Sequence, residues 1–143
     1  MKLLDVNLLI YATNKATAQH ARARPWFEEI MSGAETVALP WHTLLGFLRL
    51  TTRRAVMDPP LTVERALDYV QEWLIQPCVT TVHPTYRHSA VLRDLLNAVG
   101  TAGNRVPDAH LAALAIEHGA TLCSADEDFG RFPGLVWIDP LRT

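Results

Sequence analysis

Short apolar segments alternate with longer segments of helical periodicity along the chain. The short segments predict strands at residues 3–4, 36–39, 79–82, 120–123 and 136–138. The longer segments predict helices at residues 8–12, 20–31, 41–52, 62–75, 85–99 and 108–118. Parallel neighbouring strands need crossover connections, and these are usually helical. The alternation therefore predicts an α/β fold with a central, mostly parallel sheet of about five short strands and helices on both faces.

Proline, glycine and capping residues mark the ends of these elements. Pro107 opens the 108–118 helix and Gly119 ends it, while Thr62 caps the 62–75 helix. Residues 58–60 and 100–104 are short breaks, and the sequence contains no repeat, low-complexity tract or linker. We therefore expect residues 1–143 to form a single domain.

Composition excludes several classes of protein. The chain of 143 residues is 49% hydrophobic and 20% charged, which is typical of a globular domain and unlike a disordered or fibrous chain. Asp5 and Asn7 interrupt the apolar N-terminal stretch, so the sequence predicts neither a membrane span nor a signal peptide. Cys78 and Cys123 are too few for a disulfide framework, and a cytoplasmic location is expected. The net charge of −2 provides no general attraction for nucleic acid, so any contact with RNA must be local.

Four aspartates fall near the predicted carboxyl edge of the sheet. Asp5 follows the first strand, and Asp126 and Asp128 follow the strand at residues 120–123. Asp108 lies in the first turn of the 108–118 helix. Carboxylates within about 4 to 6 Å repel one another, and a hard, oxygen-liganded cation such as Mg²⁺ relieves that repulsion. Each aspartate alone is also typical of a turn or a helix cap, so only the set as a whole indicates a metal site.

Three short motifs, in this order, resemble the PIN domain of VapC-type toxins. They are residues 5–7 (DVN), 107–115 (PDAHLAALA) and 124–129 (SADEDF), and the resemblance extends to residues 47–50 (FLRL) and 132–135 (FPGL). The resemblance implies a three-layer α/β/α PIN-like sandwich and a Mg²⁺-dependent endoribonuclease, with Mn²⁺ an open alternative. It also implies hydrolysis of RNA, such as tRNA or rRNA, by a metal-activated water. The expected partners are a cognate VapB-type antitoxin and a second copy of the chain.

The same resemblance assigns roles to residues of this chain. The implied metal ligands are Asp5, Asp108, Asp126 and, as an auxiliary ligand, Asp128. Asn7 and Ser124 are implied to orient these carboxylates through hydrogen bonds. For Ser124, a role in the turn after the strand is an equally good interpretation.

The chain departs from the family pattern at Gly46, where many members carry a glutamate. That difference leaves a second metal site open and supports an alternative function, a catalytically weak module that binds RNA or antitoxin. His42 and Arg49 lie at i−4 and i+3 from Gly46, so either one can contact RNA phosphate or simply belong to a polar helix surface. An aspartyl-phosphate phosphatase also places an aspartate after its first strand, but here Asn7 occupies the position of its second aspartate.

Two further residues are expected outside the ligand set. His110 lies two positions beyond Asp108, which on a helix turns it by about 200°, so we expect packing or an outer contact. Cys123 is expected to be a buried strand cysteine and not a nucleophile. Arg105 and Arg131 are candidates for phosphate contacts, although solvated surface positions explain them equally well.

Overall fold

A computed structural model describes residues 1–100 and 103–142 of the chain; residues 101 and 102, within the predicted break at 100–104, and residue 143 lie outside it. Five strands are described: β1 (Lys2–Leu4), β2 (Val37–Ala38), β3 (Val79–Thr80), β4 (Thr121–Cys123) and β5 (Trp137–Ile138). Six α-helices are described: α1 (Val6–Thr13), α2 (His20–Met31), α3 (Trp41–Thr51), α4 (Val63–Leu74), α5 (His88–Val99) and α6 (Arg105–Glu117). A short 3₁₀ helix follows β4 at Glu127–Arg131. Each predicted strand and helix therefore has a counterpart.

The five strands form one sheet in the order β3-β2-β1-β4-β5, and every neighbouring pair is parallel. β1 is central, with Leu3 opposite Ala38 on one side and Leu122 on the other. The carboxyl ends of all five strands consequently lie along the same edge. This confirms the predicted parallel sheet and places Asp5 and Ser124, which follow adjacent strands, side by side.

Alternating side chains divide the interior into two cores. Leu4 and Cys123 point to the face covered by α1 to α4, where the rings of Phe47 and Trp73 pack with centroids 4.8 Å apart. Leu3 belongs to the other core, which is covered mainly by α5 and α6. Burying each such leucine contributes about 1.5–3 kcal/mol. The three-layer α/β/α architecture is thus confirmed, and within the described residues no helix is long and apolar enough to cross a membrane.

Three helix starts, those of α1, α6 and α5, differ from the sequence prediction by two or three residues. The helix predicted to begin at residue 8 begins at Val6, because the Asp5 carboxylate accepts a hydrogen bond from the Val6 N–H at 2.7 Å and caps the helix. The helix predicted from residue 108 begins at Arg105. Pro107 is tolerated there because the N–H groups of a first turn have no partner within the helix. Asp108 nevertheless lies in that first turn, as expected.

The helix predicted from residue 85 begins three residues later, at His88. Thr85 instead donates hydrogen bonds from its N–H (2.9 Å) and its hydroxyl (2.6 Å) to Glu117, at the end of α6. This contact joins the loop before α5 to α6.

Candidate active site

Ser124 is the centre of a hydrogen-bond network at the carboxyl edge of the sheet. Its side chain is fully buried, and its hydroxyl donates to Oδ2 of Asp5 at 2.7 Å. The same oxygen accepts hydrogen bonds from Nδ2 of Asn7 at 3.1 Å and from the Asp126 N–H at 3.0 Å. Ser124 therefore makes one donated and two accepted hydrogen bonds, the full capacity of a hydroxyl group. The network ties together residues from the two ends of the sequence.

Asp5 is held on both of its oxygens. Oδ1 accepts from the Val6 N–H and Oδ2 from Ser124, so the carboxylate has one orientation. Burial raises the pKa of Asp5, and the charge of Asp126 raises it further, although the two hydrogen bonds oppose the shift. Of the two residues predicted to orient this carboxylate, Ser124 bonds to it directly, whereas Asn7 bonds to Ser124 and not to Asp5.

Asp108 faces the same region from the first turn of α6. Its pKa is raised to about 6, first by burial and then by the negative charges of Asp5 and Asp126. The positive charge of Arg105 opposes this shift. Burial is the larger cause, and the neighbouring carboxylates add negative charge that a cation would neutralise.

Asp126 and Asp128 occupy the turn after β4 but have different partners. Oδ1 of Asp126 caps the 3₁₀ helix by accepting from the Asp128 N–H at 2.9 Å. Asp128 is paired with Arg105 at 2.9 Å and lies 3.7 Å from Arg131. The two arginines considered for phosphate contacts thus neutralise Asp128. Asp128 can ligate a metal only by giving up part of this pairing.

A cleft of about 390 Å³ lies beside these aspartates. Its lining residues are Asp5, Val6, His42, Leu45, Gly46, Arg49, Pro107 and Asp108. The three residues singled out on α3, His42, Gly46 and Arg49, therefore share one wall opposite Asp108. A Cβ atom added to Gly46 would lie 3.4 Å from Cγ2 of Val6, an ordinary contact. The cleft wall thus has room for a Cβ atom at the position where the family's glutamate is missing.

A row of polar side chains extends from the α3 wall of the cleft, and the sequence analysis did not predict it. The His42 ring makes a T-shaped contact with the His110 ring, at a centroid distance of 5.2 Å. Nε2 of His88 lies 3.0 Å from Nδ1 of His110, and Nδ1 of His88 is bonded to Glu117. Burial lowers the pKa of both His42 and His110, which favours neutral rings at pH 7. One feature of the sequence is consistent with this arrangement: His110 and Glu117 are seven residues apart, which places them on the same face of one helix.

The PIN-domain family matches residues 2–135. The chain belongs to the PIN-domain family. Among its relatives, Ribonuclease VapC37 of Mycobacterium tuberculosis is 44% identical over 140 residues, covering 98% of this chain and 97% of the relative. These matches confirm the predicted PIN-domain family. They also confirm the predicted class of protein as far as a VapC-type ribonuclease.

Solved structures agree with this PIN fold. VapBC2 from Rickettsia felis, bound to a DNA fragment from its promoter, superposes with a TM-score of 0.70 at 20% identity and covers 96% of both chains. VapC20 of Mycobacterium tuberculosis, a toxin that cleaves the sarcin-ricin loop, superposes with a TM-score of 0.68 at 19% identity, covering 95% of this chain and 99% of its own. At these identities the likeness concerns the fold.

The residues of this PIN domain suit a hard divalent cation. Asp5, Asp108 and Asp126 offer carboxylate oxygens, which hard divalent cations prefer. Burial and then the charges of Asp5 and Asp126 raise the pKa of Asp108. Within residues 1–100 and 103–142, no three Asp, Glu, His or Cys side chains already converge as a closed metal cage. Mg²⁺ needs no such cage, because it usually takes one or two protein carboxylates and completes its coordination with water and substrate phosphate.

Proposed function

We propose that this PIN domain is a Mg²⁺-dependent endoribonuclease and the toxin of a type II toxin–antitoxin pair, active in the cytoplasm. The observation that carries the proposal is the shared position of three aspartates: Asp5 and Asp108 line one cleft, and Ser124 bonds both to the Asp5 carboxylate and to the Asp126 N–H. Such a cluster costs free energy unless a cation neutralises it. We assign Asp5, Asp108 and Asp126 as the ligands and Asp128 as an auxiliary ligand.

The chemistry proposed is hydrolysis of an RNA phosphodiester. When bound, Mg²⁺ supplies Lewis-acid polarisation of a phosphoryl oxygen and lowers the pKa of a coordinated water. The protein contributes orientation: Ser124 and Asn7 hold Asp5 and the start of the Asp126 turn. Arg49 and His42, on the opposite wall, contact the RNA backbone. Cys123 is excluded as nucleophile because it is fully buried and burial raises the pKa of its thiol to about 12.

The proposed partners follow from the relatives and from exposed apolar side chains. VapBC2 of Rickettsia felis is a toxin–antitoxin complex, and here Trp41 and Leu45 are exposed on α3 next to the cleft. We assign this surface to a VapB-type antitoxin.

Val63 and Leu67 are exposed on α4 and are one turn apart, which suits a homodimer contact. The proposed substrate is a structured RNA such as tRNA or rRNA.

The deciding experiment is cleavage of total cellular RNA by the antitoxin-free protein with Mg²⁺, with Mn²⁺ and with a chelator. Asp108→Asn, checked for folding by circular dichroism, is assayed beside it, and Asp94→Asn on the exposed face of α5 is the matched control. We expect discrete fragments that require both the metal and Asp108. Absence of cleavage by the folded wild type with either metal would favour the binding module instead.

A further inference from the structure

Tyr86 has the most exposed large hydrophobic side chain in the described part of the chain, with 96% of its surface accessible. Within residues 1–100 and 103–142 it makes no hydrogen bond, ion pair or ring contact. A tyrosine at a protein surface usually lays its ring against neighbouring atoms and keeps only its hydroxyl in water. The ring of Tyr86 does not do so, and its faces are therefore open to a partner molecule.

The backbone around this ring is anchored. Tyr86 belongs to the β3–α5 loop (residues 81–87), in which Thr85 donates two hydrogen bonds to Glu117, from its N–H at 2.9 Å and from its hydroxyl at 2.6 Å. The same hydroxyl accepts from the Arg87 N–H at 3.1 Å. These bonds hold the residues on both sides of Tyr86 before any partner binds. An aromatic side chain on such a backbone loses little conformational entropy when it is bound.

The exposed charge beside Tyr86 is positive. Residues 73–93 contain two arginines, Arg87 and Arg93, and no aspartate or glutamate. The Arg87 side chain is exposed and forms no ion pair in the described part of the chain, and its Nη2 donates only a long bond of 3.4 Å to the Glu117 carbonyl. The Glu117 carboxylate is fully buried. An anionic partner is therefore favoured here, although the net charge of the whole chain is −2.

An exposed aromatic ring next to an arginine suits single-stranded RNA. An unpaired base stacks on the ring, and the guanidinium contacts a neighbouring phosphate. A protein interface instead needs an apolar patch that extends beyond one side chain. Among residues 76–100, all of which the structure describes, no large hydrophobic side chain other than Tyr86 is exposed. RNA therefore fits this loop better than a protein does.

Contacts between rings join the β3–α5 loop to the wall of the cleft. His88, two residues after Tyr86, packs against His110 with a centroid distance of 4.9 Å. His110 in turn packs against His42, which lines the cleft, at 5.2 Å. An RNA chain that extends from the cleft along these rings reaches the loop within a few nucleotides.

We propose that Tyr86 and Arg87 form an RNA-binding surface outside the cleft, where the Tyr86 ring stacks on an unpaired base and Arg87 contacts an adjacent phosphate. Stacking tolerates any sequence, because every base has an aromatic face. The surface therefore adds affinity for single-stranded RNA without selecting the cleavage site. This inference rests on the proposed function only in taking RNA as the ligand.

Substitutions of Tyr86 separate stacking from other contacts. Tyr86→Phe keeps the aromatic face, whereas Tyr86→Leu keeps an apolar side chain without it. Fluorescence anisotropy in chelator measures the affinity for a labelled oligouridylate without cleavage. We expect Tyr86→Leu to weaken binding about fivefold or more, and Tyr86→Phe to stay within about twofold of the wild type. Ile75→Ala, which removes another exposed apolar side chain, is the control and should bind like the wild type.

The contribution of Arg87 is measured by the dependence of binding on salt. Arg87→Gln should reduce the slope of the logarithm of affinity against the logarithm of salt concentration by about 0.7, the value for one phosphate contact with a single strand. Arg65→Gln, at an exposed position on α4, should leave this slope unchanged.

Fluorine-19 NMR of protein labelled with 3-fluorotyrosine observes the ring directly. The chain has three tyrosines, and the signal that disappears in Tyr86→Phe belongs to Tyr86. We expect this signal to move when the oligouridylate is added.

Four outcomes overturn the inference: no binding by the wild type, wild-type affinity in Tyr86→Leu, a Tyr86 signal that does not move at saturating RNA, or a wild-type salt slope in Arg87→Gln. A protein contact at this loop predicts the second of these, together with altered sedimentation of Tyr86→Leu. Failure of the proposed function is separate: cellular RNA would remain intact with either metal, while the oligouridylate would still bind through Tyr86.

Discussion

The hydroxyl of Ser124 donates a hydrogen bond to Oδ2 of Asp5, across 119 residues of sequence and a distance of 2.7 Å. The two residues follow β1 and β4, which are adjacent in the sheet. The carboxylate that we assign to metal binding is thus oriented by a residue after a neighbouring strand as well as by the N–H of Val6. Groups that hold a ligand in this way are often nearly as important as the ligand itself.

Ser124→Ala should therefore reduce both activity and stability. We expect RNA cleavage to fall about 10- to 100-fold, because Asp5 loses its orienting donor. The free energy of unfolding should fall by about 1–3 kcal/mol, because buried partners of the hydroxyl lose their hydrogen bonds. Ser32→Ala, which removes an exposed hydroxyl bonded to the Glu28 carbonyl, is the control for both measurements. Wild-type cleavage by Ser124→Ala would contradict the role given to the network.

Asp108→Asn should make the metal-free protein more stable at pH 7. The pKa of Asp108 is about 6 in the folded protein and near 3.8 when unfolded. The folded protein therefore binds the proton more tightly, and its stability decreases as pH rises from about 4 to about 6. Asparagine does not titrate, so the variant lacks this pH-dependent contribution. In denaturation experiments with chelator, its free energy of unfolding should therefore vary less with pH than that of the wild type. Asp94→Asn is the control. A profile identical to that of the wild type would argue against a raised pKa.

Substitutions at Gly46 test whether an added carboxylate in the cleft strengthens metal binding. Gly46→Ala should stabilise α3 by up to about 1 kcal/mol, because its Cβ makes only an ordinary contact with Val6 and alanine is the better helix former. Gly46→Glu adds a carboxylate to the cleft and should tighten Mg²⁺ binding, measured by calorimetry. Gly46→Gln, of similar size without charge, should not. Equal affinities in the last two variants would show that charge at this position does not reach the metal.

Asp126 and Asp128 should differ in their effect on the metal. Asp126→Asn is expected to weaken Mg²⁺ binding at least about tenfold, because substitutions at metal sites typically reduce metal affinity by that factor or more. Asp128→Asn should change it by less than about threefold, because its charge is already paired with Arg105 at 2.9 Å. Titration calorimetry of both variants provides the comparison. If both losses are equally large, Asp128 leaves Arg105 to act as a full ligand.

The position of residues after parallel strands predicted that Asp5 and the residues after β4 share one edge of the sheet, whereas the role of Ser124 came from the family resemblance. Asp5 and Ser124 both follow short apolar segments, and parallel strands place such residues at one edge. The pairing of Asp128 with Arg105 was not predictable, because Asp128 lies in the 3₁₀ helix and Arg105 begins α6, and their approach depends on how α6 packs. The metal ligands assigned here remain predictions from family resemblance, supported by position and charge.

The histidines show a second limit of pattern reasoning. Helical spacing predicted that His110 turns away from Asp108, but it gave no sign that His88, on another helix, would bond to His110. Side chains from two helices meet according to crossing angle and distance, and neither is encoded in a single segment. Helix starts were also shifted, at Val6 and His88, by side-chain hydrogen bonds to local or distant partners.

The pairing of β1 with β4 also governs when the protein becomes dangerous to the cell that makes it. A growing polypeptide that has not yet reached β4 contains Asp5 and Asp108 but lacks Ser124 and Asp126. Because synthesis proceeds from the N-terminus, the proposed centre is incomplete until Asp126 has been translated. Prematurely terminated products are therefore expected to be harmless, and inactivation requires capture only of finished molecules.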